Sequence, residues 1–134
     1  MQYKKEDLCR YRYEQAQNAL SSAKSNLSTD IKTSLNRSYY SILYAAKALL
    51  AMDGKDAGSH KGLFVVFSRE YIKTGILAKE YADIIKEASM IRDKSDYMDF
   101  YIVSREEACQ QIENAERFIS EMVLYINHKF GVKL

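Results

Sequence analysis

Apolar residues recur at three- and four-residue steps along nearly the whole chain, which divides it into helices rather than strands. Over about residues 3–27, Leu8, Ala16, Ala19, Leu20, Ala23 and Leu27 fall on one stripe. Ser28, Thr29 and Asp30 form a turn, with Thr29 or Asp30 as the N-cap of a second helix. That helix, from about 30 to 53, has two special faces. Ile31, Leu35, Ile42, Ala45, Ala46 and Leu49 form one arc, and Arg37, Tyr40, Tyr44 and Lys47 lie almost opposite. A helix marked on both sides is expected to be central and largely buried. Gly54 ends it.

The stretch GKDAGSHKG at 54–62 is a glycine-containing loop whose Ser59 can cap a third helix carrying Leu63, Phe64, Val66, Phe67 and Tyr71. Lys73, Thr74 and Gly75 break that helix. Leu77, Tyr81, Ile84, Ala88 and Ile91 define a fourth. The run Ser-Arg-Glu-Glu at Ser104 resembles a capping box and opens a fifth, striped by Ala108, Ile112, Ala115, Ile119, Met122 and Ile126 and ended by Gly131. No run alternates like a strand. The expected fold is all-α, an antiparallel up-and-down bundle of four to five helices, with residues 1–134 as a single domain.

Composition adds three constraints. The chain has no proline, so nothing forces a kink in long helices. Its formal charge is only +2 despite 20 Lys and Arg, so any attraction for nucleic acid must come from a local patch. Cys9 and Cys109 have no CxxC spacing and are expected to be reduced thiols rather than zinc ligands or a disulfide. No segment approaches the roughly 20 apolar residues of a membrane span, and the N-terminus lacks an apolar core of signal-peptide length. The expectation is a soluble, cytoplasmic protein with no membrane contact. The 54–62 loop lacks the GK[ST] ending of a P-loop, and no cofactor and no metal are expected.

Polar residues concentrate in two places, LNRSYYSILYAAKALL at 35–50 and RDKSDYMDFY at 92–101. Together with SHKGLFVVFSREYIKTG at 59–75 and EEACQQIENAERFI at 106–119, these blocks resemble the HEPN superfamily, the higher eukaryotes and prokaryotes nucleotide-binding domain. The likeness covers about residues 8–126 and is nearest to the small stand-alone prokaryotic branch often encoded beside a minimal nucleotidyltransferase. It implies a helical bundle that pairs into a homodimer, works with a nucleotidyltransferase partner in a toxin–antitoxin-like pair, and contacts RNA or a nucleotide. Many members are metal-independent ribonucleases whose motif is Arg, four to six residues, then His, often followed by x-Tyr. From Arg92 that histidine would fall at 97, 98 or 99, where this chain has Tyr97, Met98 and Asp99.

RNA cleavage without metal needs a base for the 2′-hydroxyl, an acid for the leaving oxygen and a cation for the phosphorane. Arg92 suits the last task, because its planar fork can bind two phosphate oxygens. Asp96 or Asp99 would serve as base only if burial raised its pKa. The bland reading of Arg92 and Asp96 is an i,i+4 ion pair. Asn36, Arg37, Tyr40, Tyr44 and Tyr97 are expected to wall the site, with Arg37 paired to Asp96 across two helices. His60 reads as a residue that pins its loop, with a second-site catalytic group as the other reading. Tyr101, or else Tyr97, would be the acceptor if the partner transfers a nucleotide. Two functions stand side by side: a dimeric interaction module, and an endoribonuclease using Arg92 with Asp96 or Asp99.

Overall fold

The computed structural model describes residues 2–134 and contains, among them, five α-helices and no strand. They are α1 (Gln2–Asn26), α2 (Ile31–Met52), α3 (His60–Phe67), α4 (Lys79–Tyr97) and α5 (Arg105–Phe130). None is long and apolar enough to cross a membrane. The ends follow the local chemistry. Asp30 accepts from the Thr33 amide at the start of α2, and Ser104 accepts from the Glu107 amide at the start of α5. Gly131, at φ 66°, closes α5 in the left-handed conformation that costs a glycine little.

Helix α2 is the central element and packs against each of the other four helices. Its contact with α1 is close because both sides are small. Ala16, Ala19 and Ala23 of α1 and Ser34, Ser38 and Ser41 of α2 are all buried. Ser34 Oγ donates to the Ala23 carbonyl at 2.6 Å, so this seam satisfies a buried hydroxyl as well as packing it. On α1, Leu8 is exposed and the neighbouring Cys9 is fully buried in its place. Burial pushes the Cys9 thiol up to about 11, which fits an unreactive packing residue. Cys9 and Cys109 are both free thiols.

The third helix departs from regularity. After Phe67 the chain makes a π-helical turn over Ser68–Ile72, closed by the Lys73 amide bonding to the Ser68 carbonyl. Phe67 and Tyr71 are both buried, with ring centroids 5.6 Å apart, and Phe67 also meets Phe118 of α5 at 5.7 Å. The Tyr71 hydroxyl donates to Asp53 Oδ2 at 2.8 Å, and Lys55 Nζ bonds to the same oxygen. This polar clamp ties the end of α2 to the π turn. Leu77 is buried but precedes α4, which begins only at Lys79.

Ser59 caps α3 by accepting from the Gly62 amide at 2.9 Å, and the residue it places next is His60. Ser59→Ala is expected to lower stability in urea titration by about 1 kcal/mol. It should also loosen His60, so that the imidazole's NMR titration midpoint rises toward that of a free histidine.

Candidate functional site

Arg92 lies in the last turns of α4 with its side chain only 16% exposed. Its guanidinium carbon stands 4.7 Å from the centroid of the Tyr39 ring, a cation–π arrangement in a mostly desolvated place. Nη1 points at the Tyr40 hydroxyl at 3.4 Å, and Nη2 donates to Asp93 Oδ1 at 3.0 Å. Nε is buried without a hydrogen bond, and its nearest carboxylate oxygen, on Asp96, is 3.9 Å away. The expected i,i+4 ion pair is therefore present but loose, and the guanidinium has donors left over.

The Tyr39 ring under Arg92 is the hinge of the site. It sits edge-on to Tyr40 at 5.2 Å, and its hydroxyl lies 3.1 Å from Nδ1 of His60. The His60 ring is also 5.8 Å from the Tyr40 ring centroid. Helix α2 thus offers two adjacent tyrosines, α4 brings an arginine over one of them, and the start of α3 brings a histidine against both. Burial pushes the Tyr39 phenol up. Burial, with the positive charges of Arg92 and Lys47, holds the His60 imidazole below its ordinary value, so it is neutral at pH 7.

The remaining expected site residues divide between two sides of α2. Asn36 and Asp96 line one shallow cleft with Lys32 and Thr33. Arg37 is turned the other way, lining a cleft with Gln15, Asn18, Ala19 and Tyr44 beside α1. Its guanidinium bonds to Asn36 Oδ1 at 3.2 Å and lies 5.0 Å from the Tyr40 ring centroid. The expected Arg37–Asp96 pair does not form, because one residue of helix rotates a side chain by about 100°, and Asn36 rather than Arg37 faces α4. Tyr40 and Tyr44 are half-buried neighbours with centroids 6.1 Å apart.

Beyond α4 the chain opens into an exposed turn that carries Asp99 and Phe100. Tyr97 is exposed, whereas the Tyr101 hydroxyl donates to Glu107 Oε2 at 2.6 Å. That bond pushes the Tyr101 phenol up. Among the described residues no three His, Cys, Asp or Glu side chains are grouped to hold a metal ion. Sequence reasoning missed Tyr39, although its spacing from Leu35 and Ile42 places it on the buried face of α2. It also missed Asp93.

A five-helix bundle whose central helix presents paired tyrosines to an arginine at the end of α4 defines a class of small all-α proteins. Within it, the HEPN domain family model matches residues 9–126, and the chain belongs to that family. A UPF0332 protein of Thermotoga maritima is 30% identical over 116 residues, covering 86% of this chain and 88% of that protein. A Methanocaldococcus jannaschii protein named as a candidate toxin is 32% identical over 95 residues, covering 71% of this chain and 65% of its own length. A second candidate toxin of that organism is 31% identical over 86 residues, covering 64% of this chain and 63% of that protein.

Proposed function

We propose that this chain is the HEPN half of a toxin–antitoxin-like pair, a homodimer that binds a nucleotidyltransferase partner and contacts RNA through the face around Arg92. The observation that carries the reading is the run directly after Arg92's helix. Tyr97, Met98, Phe100 and Ile102 are 76%, 55%, 96% and 86% exposed. So much apolar surface on one short segment is what a protein interface leaves uncovered in the free chain. A second copy docked there brings two Arg92 clusters toward one seam. The relatives named as candidate toxins support the toxin half of the pair.

Sedimentation tests the dimer. The chain is expected at twice its monomer mass, and Phe100→Asp combined with Ile102→Asp should return it to the monomer. A wild-type chain that stays monomeric at micromolar concentration contradicts the reading.

The Tyr101–Glu107 bond supports nucleotide transfer from the partner. With ATP, the Tyr101 oxygen attacks the α-phosphorus, Glu107 takes the phenol proton as that bond forms, and pyrophosphate leaves. Mass spectrometry after incubation with the partner and ATP should find one adenylyl group on Tyr101. The adduct should vanish in Tyr101→Phe and weaken in Glu107→Gln. An unmodified chain, or a label on Tyr97 alone, counts against Tyr101 as acceptor.

The ribonuclease reading with Asp96 or Asp99 as base finds less support. Both side chains are exposed, and the burial either would need is absent.

A further inference from the structure

The Arg92 cluster contains what the motif after Arg92 lacks. His60 comes from a different helix and reaches the same two tyrosines that Arg92 touches. We infer that His60 is the proton-transferring residue of an RNA-cleaving centre, with Arg92 binding the scissile phosphate and Tyr39 fixing the imidazole. This inference rests on the reading that the Arg92 face meets RNA.

Three observations carry it. First, the imidazole is oriented: with Nδ1–H donating to the Tyr39 oxygen at 3.1 Å, the lone pair sits on Nε2, for which no protein partner is present. Second, Arg92 is under-used. Its Nε has no hydrogen bond and its Nη1 contact is long, so an incoming phosphate finds donors not committed elsewhere. Third, cations lead away from His60. Lys47 is within electrostatic reach of the imidazole, Arg12 donates to the Lys47 carbonyl at 3.1 Å, and Arg12 lines a cleft with Lys4, Lys5 and Lys55. That succession suits a strand of phosphates in a chain whose overall charge is nearly balanced.

The chemistry closes without a co-reactant. The ribose 2′-oxygen attacks the adjacent phosphorus while its proton passes to His60 Nε2. Arg92 stabilises the charge gathering on the non-bridging oxygens. The bond from phosphorus to the 5′-oxygen breaks, and that oxygen recovers the proton from the imidazolium through water. The products are a 2′,3′-cyclic phosphate and a free 5′-hydroxyl. The groups facing His60 are Tyr39, Tyr40 and Lys47 of α2 and Arg92 of α4. Neither cation favours the protonated imidazole, so the base form is available at neutral pH.

The test incubates purified protein with a structured RNA oligonucleotide in EDTA and follows cleavage and binding on the same samples, from about pH 5 to 8. Wild-type protein should leave 2′,3′-cyclic phosphate ends. Its rate should rise with pH through a midpoint below that of free histidine. His60→Gln should cleave at least about 100-fold more slowly, lose the rising limb and keep its RNA affinity. Tyr39→Phe keeps the ring beneath Arg92 but removes the hydroxyl. It should slow cleavage less and shift the pH midpoint, so a folding defect in His60→Gln does not leave the idea unexamined. His60→Gln cleaving at the wild-type rate overturns the inference. RNA binding without cleavage by the wild type overturns it too, and leaves the proposed function standing. No RNA binding at all removes both the inference and the RNA contact in that function.

Discussion

Phe67→Ala is expected to remove about 3–5 kcal/mol of unfolding free energy. Phe67 is fully buried between Tyr71 and Phe118, so its loss opens a void where α3, the π turn and α5 meet. The neighbours cannot close it easily. Tyr71 is anchored through its hydroxyl to Asp53, and Phe118 is itself fully buried and in ring contact with Tyr81 of α4 at 6.3 Å. A domain of this size has a total stability of roughly 5–15 kcal/mol, so the variant approaches the unfolding threshold. Thermal and urea unfolding should both show the loss, and a decrease below about 1 kcal/mol would mean that this region is not the packed centre. Because the π turn also carries the clamp between Tyr71, Asp53 and Lys55, the damage should spread toward the loop that positions His60.

Much of this architecture is written locally. Asp30, Ser59 and Ser104 each cap the helix expected of them, and Gly54 and Gly131 adopt positive φ at helix ends as expected. Helix α2 is central because it carries apolar or small residues almost all round. The π turn was illegible, since Leu63, Phe67 and Tyr71 at four-residue steps fit an ordinary helix equally well. On α1 the stripe misplaced the core by one residue, because Cys9 is as able to fill it as Leu8. At the site, Arg92 and the tyrosine pair stood out in the sequence, and the family resemblance drew them together. His60 and Arg92 belong to different helices and meet only through Tyr39, a contact that no periodicity encodes. Arg37 failed to meet Asp96 because the side of α2 facing α4 is set by packing against α1, which claims the Arg37 side.

Arg92→Ala carries the largest expected functional effect. The guanidinium is the one group that touches both tyrosines and stands within reach of the phosphate path, so its removal strips the site of its fixed cation while leaving the helices their apolar cores. Lysine in its place keeps the charge but loses the planar fork, and should restore only part of the function. The central claim is that this cluster is the working centre of a toxin-like HEPN protein. Growth of a bacterial host expressing the chain without its partner tests that claim most directly. The account predicts growth arrest by the wild-type chain, near-normal growth with Arg92→Ala at the same folded protein level, and an intermediate effect with Arg92→Lys. Arrest by Arg92→Ala as complete as that of the wild type would contradict it.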